Sequence, residues 1–198
     1  QPEAVAVADG MIHVVDSETS LVAMFTLEGQ YQGSFGAKKG GFFGGGAGVE
    51  LSSPQGIAIH EGIVYVADTG NGKVQLFGIN GVFLTTLEID SSLENNEAQE
   101  KKLPYKLSEP TDIAINIKGE IYVLDANDGL IKVYSPNGKY LKHLPGEGKA
   151  MTFGLAPEGV YVADKNSMVV HRYDFDGKLD YSFGAKGEGH GLFKSLSG

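Results

Sequence analysis

The chain contains no cysteine. That excludes disulfides, zinc–thiolate sites and cysteine catalysis. It is compatible with an oxidising, extracytoplasmic compartment without requiring one. Basic residues are few: 16 Lys+Arg stand against 25 Asp+Glu, a formal net charge of −9. Binding to a phosphate backbone draws on clustered Lys and Arg, so this balance argues against a nucleic-acid partner and suits solubility instead. No apolar run approaches the roughly 20 residues of a membrane-spanning helix. No secretory leader is visible, and the chain opens on Gln1 rather than Met, as a processed or trimmed N-terminus would.

What is present in abundance is turn chemistry. Twenty-nine glycines and seven prolines in 198 residues suit a fold with many reversals, and 41% hydrophobic residues can build a core, with one domain as the prior. Residues 54–87 set the pattern: apolar runs at 57–59, 63–66, 74–77 and 82–87, separated by turns at 60–62, 69–73 and 78–81. Runs this short, rich in Val, Ile, Phe and Tyr and bounded by Gly, Asn and Asp, read as strands, and turns this short make them antiparallel neighbours.

The second of these strands ends in Tyr65-Val66-Ala67-Asp68. The same pattern returns as Tyr122-Val123-Leu124-Asp125 and Tyr161-Val162-Ala163-Asp164, and with His for Tyr as His13-Val14-Val15-Asp16. Four copies predict four repeats, at about 2–36, 54–87, 110–145 and 150–184, with insertions at 36–53 and 88–109. The other strands are expected at 4–7, 11–16, 21–25 and 31–35; at 112–115, 120–125, 130–134 and 140–144; and at 151–156, 159–164, 168–173 and 179–183. Successive repeat Asp residues are 52, 57 and 39 apart, so only the last interval is close to a bare unit. Residues 36–48 are Gly-rich. Residues 88–106 are polar, and Ser91-x-x-Glu94 there reads either as a capping box for a short helix to Lys102 or as part of a solvated loop. Repeats of four antiparallel strands, about 40 residues long, predict an all-β fold, a β-propeller of four-stranded antiparallel blades.

The run Pro54-Gln55-Gly56-Ile57-Ala58-Ile59, then Tyr65 to Asn71, then Lys73-Val74-Gln75-Leu76-Phe77, resembles the NHL repeat. So does Ser182-Phe183-Gly184 with the Gly-rich 185–192 behind it. The resemblance implies closed propellers of about six blades, of which four would be present here. Residues 193–198 (FKSLSG) resemble the lead-in to a repeat, LSSPQG at 51–56. Two arrangements follow: further blades, or self-association through the first and fourth repeats. A closed four-bladed ring of steep curvature is the alternative.

Asp16, Asp68, Asp125 and Asp164 recur where the second strand turns into the third. Each is expected to accept backbone N–H bonds in its own turn. The competing reading is a carboxylate ring that holds calcium. Asp125-Ala126-Asn127-Asp128-Gly129 resembles the start of a calcium loop without its downstream Glu, leaving Asp125 and Asn127 as the metal candidates. Tyr65, Tyr122, Tyr161 and His13 are expected to pack between blades. The five His residues, His13, His60, His143, His171 and His190, fall at unrelated repeat phases and share no metal-ligand spacing.

One enzymatic relative of NHL propellers, the peptidyl-hydroxyglycine lyases, carries zinc-binding His residues. A His often follows the Asp-x-x-Asn element there, whereas Gly72 follows Asn71 here. Neither a Gly-x-Ser-x-Gly elbow nor a phosphate loop is present, and no catalytic residue or cofactor is assigned. An RNA-binding branch of the family would need a basic surface. Lys38, Lys39, Lys186 and Lys194 with Phe42 and Phe43 are opposed by Glu94, Glu97 and Glu100. The reading reached from sequence is a non-enzymatic scaffold that docks a protein or peptide on the loop-bearing face. Phe42, Phe43, Leu103 and Tyr105 would be its apolar anchors, and Lys38, Lys39, Lys101 and Lys102 its rim charges. The alternative is a metal-dependent propeller enzyme, lyase-like or lactonase-like.

Overall fold

Alternation of apolar and polar residues between tight turns builds four antiparallel sheets in chain order. A computed structural model describes residues 1–36, 49–89, 104–145 and 150–195, with the side chains of residues 150 and 151 excepted. The first sheet holds β1 (Pro2–Ala8), β2 (Met11–Asp16), β3 (Leu21–Thr26) and β4 (Tyr31–Phe35). The second holds β5 (Ile57–His60), β6 (Ile63–Asp68), β7 (Lys73–Gly78) and β8 (Phe83–Thr86). The third holds β9 (Pro110–Ile115), β10 (Ile121–Asp125), β11 (Leu130–Tyr134) and β12 (Tyr140–Pro145). The fourth holds β13 (Ala150–Ala156), β14 (Gly159–Asp164), β15 (Val169–Tyr173) and β16 (Leu179–Phe183). Each sheet is a simple meander, a blade of a β-propeller, and the helix among the described residues is one 3-10 turn at Thr69–Asn71.

The observed strands agree with the sequence reading to within two residues at each end. The fourth blade's third strand starts at Val169 rather than Met168, because Met168 holds a φ of +57° as the last residue of its turn. Ser20 does the same before β3, at +56°. Hairpin turns between third and fourth strands place Gly29, Gly81, Gly138 and Gly177 at positive φ, where a side chain would be strained.

By contacts the chain divides into two units, Gln1–Glu88 with Leu107–Ile115, and Ile89–Lys106 with Asn116–Gly198. In the first unit β5 has β1 on one side and β9 on the other. The core between its first two blades shows how the repeat buries itself. Val15 and Val22, with Ala4, Ala6 and Phe35, come from one face of the first blade. They meet Ile57, Val64, Val66 and Phe77, with Ile59 and Phe83, from the opposite face of the second. Phe35 and Phe77 sit at its centre, 4.5 Å between ring centroids. Cross-strand register puts each set on a single sheet face, since directly opposed residues of antiparallel strands share a side. The face that carries the repeat Tyr or His is here called the forward face, and its reverse the back face.

In the second unit Tyr122, Tyr134 and Tyr173 are fully buried, and Tyr122 packs edge-on against Phe175 at 6.4 Å. Tyr65 is buried in the first unit. Tyr161 departs from the expected burial. It is half-exposed, and its hydroxyl meets the Tyr181 hydroxyl and the Glu158 carboxylate in exposed contacts. Tyr181 and Phe183, on the same forward face of the fourth blade, are exposed as well.

Candidate functional site

The turn between second and third strands carries most of the polar chemistry of each blade. In the second blade it is the 3-10 turn closed by Gly72 in the left-handed region, at φ 64° and ψ 34°. Asp68 is fully buried beneath it. Its Oδ1 accepts from the Ser52 N–H at 2.7 Å, and its Oδ2 from the side-chain amides of Asn71 at 2.8 Å and Gln75 at 3.1 Å. The same Asn71 amide donates to the Glu50 carbonyl at 2.9 Å, and Gly70 N–H to the Ser52 carbonyl at 2.8 Å. Thr69 Oγ1 donates to the Pro110 carbonyl at 2.7 Å. The turn thus grips the segment that leads into its own blade and ties it to β9.

Between this gripped lead-in and the first blade's turn lies a cleft of about 510 Å³, lined by Thr19, Ser20, Gly36, Glu50, Leu51, Ser52 and Asn71. Its far wall is fixed in the same way: Asp16 Oδ1 accepts from Thr19 N–H at 2.8 Å, and Ser20 Oγ from Ser53 N–H at 3.0 Å. Gly36, at φ +102°, lets Leu51 approach so closely that a Cβ there would sit 2.5 Å from Leu51 Cδ1. The lining offers hydroxyls, an amide and one carboxylate on a hydrogen-bonded frame. The hydroxyl and amide oxygens recognise hydrogen-bond donors; no nucleophile–base pair lies among the described lining residues.

The other blades use the same position differently. Seven residues after the repeat Asp, on the third strand, stand Gln75, Lys132, His171 and Ala23 in the second, third, fourth and first blades; Gln75 and Lys132 reach the carboxylate of Asp68 and Asp125 directly. Lys132 Nζ lies 2.7 Å from Asp125 Oδ2 and 2.8 Å from Asp128 Oδ2, and also donates to the Lys106 carbonyl. A lysine ammonium therefore stands where a calcium ion would meet Asp125, whose Oδ1 accepts from Asn127 N–H at 3.1 Å. Burial works against ionisation of Asp164. Hydrogen bonds from Ser167 and Asn166, with the nearby His171, nonetheless hold its carboxyl below the ordinary range.

Of the binding-face candidates read from sequence, Lys38, Lys39, Phe42, Phe43, Lys101, Lys102 and Leu103 lie outside the described residues. The suggested helix from Ser91 to Lys102 and the acidic Glu94, Glu97 and Glu100 do so too. Tyr105 is described and is buried. Its carbonyl accepts the Tyr134 hydroxyl at 2.6 Å, so its ring belongs to the packing rather than to an exposed anchor. The cleft residues Thr19, Ser20, Glu50 and Ser52 were missed by sequence reading. The one signal pointing to them is the Asp-x-x-Asn element at 68–71, whose amide has to find acceptors outside its own turn.

Residues 51–77 match the model of the NHL repeat, a stretch that runs from the cleft residue Leu51 to the end of the third strand. Among curated protein sequences none matches this chain. Among solved structures it is similar to a protein of unknown function from Bacteroides caccae, at 16% identity and a TM-score of 0.63, over 92% of this chain and 60% of that one. It is similar to virginiamycin B lyase from Staphylococcus aureus at 13% identity and a TM-score of 0.61, over 92% and 55%. It is also similar to a chain of the nidogen/laminin complex at 18% identity and a TM-score of 0.68, over 92% and 63%. The chain thus spans less than two thirds of the length of each, and at these identities the likeness is one of fold.

Proposed function

On this NHL-type β-propeller fold, we propose that the protein is a non-enzymatic scaffold that docks a protein or peptide at the rim between its first two blades. The observation that carries the reading is the cleft of about 510 Å³ whose walls are hydrogen-bonded before any ligand arrives. A preformed site lowers the ordering cost of binding. Its hydroxyl and amide lining suits an extended segment with free N–H groups. One fold neighbour belongs to a protein–protein complex, and another is a lyase. The lyase keeps a metal-dependent propeller enzyme as the competing reading.

Selection of peptides from a random display library on the purified chain tests this. Extended peptides are expected, and Glu50→Lys and Thr19→Arg, each of which puts a long side chain into the cleft, should weaken the selected binders about tenfold or more, roughly 1.4 kcal/mol. Both positions are exposed, so the fold should be unaffected. Binders indifferent to both substitutions would overturn the proposal. Stoichiometric zinc or calcium in the purified protein would favour the enzyme.

A further inference from the structure

The Asn71 carboxamide, on the lead-in side of the cleft, has a fixed orientation. Its nitrogen donates to the Glu50 carbonyl at 2.9 Å and to Asp68 Oδ2 at 2.8 Å. A flipped amide would set its oxygen against those same two acceptors, so Oδ1 is the atom left over. Asn71 is exposed and lines the cleft, and among the described residues its Oδ1 has no protein donor. The third and fourth blades place Asp128 and Ser167 at this position, three residues after the repeat Asp. Asp128 is taken up by Lys132 at 2.8 Å, and Ser167 donates its hydroxyl to Asp164 at 2.7 Å. Asparagine, with two donors and a separate acceptor, closes its turn and still keeps an acceptor.

On the first-blade side, Ser20 Oγ accepts the Ser53 N–H at 3.0 Å, which leaves the Ser20 hydroxyl proton for another acceptor. The residue that Ser20 holds is strained. Among the described residues, five that are not glycine hold positive φ. Asp9 and Glu61 sit in two-residue hairpin turns, and Ser20 and Met168 each end the turn before a third strand. Ser53, at +45°, has neither explanation, and it follows the cleft residue Ser52. Backbone strain of this kind clusters at ligand clamps and active sites.

A planar trans peptide group points its N–H and its C=O in opposite directions. An acceptor on one side of the cleft and a donor on the other match that shape. We infer that the cleft grips one backbone peptide group of the docked segment, its N–H donating to Asn71 Oδ1 and its carbonyl accepting from the Ser20 hydroxyl. This rests on the docking reading above and adds what is read there: the main chain of an extended segment rather than a side chain. Side chains on either side of the gripped group are then free to vary.

Peptides selected on the purified chain are resynthesised with each backbone amide replaced in turn by an ester, which keeps the shape and removes one N–H. Fluorescence anisotropy reads their affinity for wild type and for Asn71→Ala. One ester position is expected to weaken wild-type binding about threefold to tenfold, the worth of one net hydrogen bond. Asn71→Ala should weaken the parent peptide to a similar degree and be indifferent to that same ester, as a double-mutant cycle requires of a direct contact. Asn71→Ser replaces Asn71→Ala if circular dichroism shows the latter to be unfolded. Binding indifferent to every ester would overturn the inference and leave the docking reading standing. So would a loss that follows an Asn or Gln side chain of the peptide, or an ester effect that persists in the Asn71 variant. A library that yields no binder would overturn both.

Discussion

The Lys132 ammonium lies 2.7 Å from the Asp125 carboxylate with both side chains buried, and Asp128 completes its surroundings at 2.8 Å. The pair occupies the place that Gln75 and Asp68 hold one blade earlier, at 3.1 Å. Two blades thus solve one problem, an acceptor buried under the second-strand turn, with different donors. A charged donor suits the third blade because a second carboxylate is present there.

Removing half of such a pair leaves an uncompensated buried charge. Lys132→Met is expected to cost about 3–5 kcal/mol in urea-induced unfolding. Lys132→Gln should cost less, since the amide reproduces the second blade's arrangement. Equal losses for the two would show that the amide cannot reach Asp125 as Gln75 reaches Asp68.

The repeat Tyr positions make a graded series. Tyr122 is fully buried, and burial pushes its phenol up to about 12. Tyr122→Ala is expected to cost about 3–5 kcal/mol, the range for large aromatic truncations. Tyr161→Ala, at a half-exposed site, should cost clearly less in the same titration of monomeric protein. A midpoint unchanged by Tyr122→Ala would contradict the packing described.

The difference between these two tyrosines marks the limit of what the sequence discloses. Strand and turn positions were legible because both rest on local rules: apolar runs of set length, and Gly, Asn or Asp where the chain reverses. The Tyr-Val-x-Asp pattern counted the blades for the same reason. Burial of Tyr161 was not legible, since it depends on what covers the fourth blade. The donors that Asp68 and Asp125 meet on the third strand were hidden because Gln75, Lys132, His171 and Ala23 share a position but no chemistry. The cleft was hidden because Glu50 and Ser52 meet Asn71 only after the lead-in folds back on the turn.

His13 replaces Tyr in the first blade and is fully buried. Its Nε2–H donates to the Ile79 carbonyl at 3.0 Å, while Nδ1 has no hydrogen-bond partner among the described residues. Burial lowers its pKa below the usual 6.5, partly offset by that hydrogen bond. The folded state therefore prefers neutral His13, and the unfolded chain takes up a proton first as pH falls. The stabilisation is complete above about pH 6.5 and is lost below it, down to the lowered native pKa. One proton gives a slope of at most about 1.4 kcal/mol per pH unit. The difference in stability between wild type and His13→Gln should fall with pH below about 6.5, with a slope that does not exceed this limit. A difference that is flat with pH would show that His13 titrates normally.

Two glycines of the strands and their lead-ins should respond oppositely to a single methyl group. Gly56 opens the second blade, and a Cβ there would stand 2.8 Å from Asp112 Cα, 3.0 Å from the Thr111 carbonyl oxygen and 3.1 Å from Ile113 N. All three are backbone atoms of β9, which cannot turn aside as a side chain would. Gly56 also accepts the Ala67 N–H at 2.9 Å, so moving it away strains the pairing of lead-in and second strand. Gly56→Ala is expected to cost about 1–3 kcal/mol or more, as overpacking does. Gly154, inside β13, meets nothing within 4 Å and holds no positive φ. Alanine there removes the entropic cost of glycine in a strand and should be neutral or stabilise by about 0.5–1 kcal/mol. Denaturant midpoints of the two variants decide the matter together. Equal shifts would mean that β9 does not press on Gly56 and that the first unit is held by its hydrophobic core without this close backbone approach.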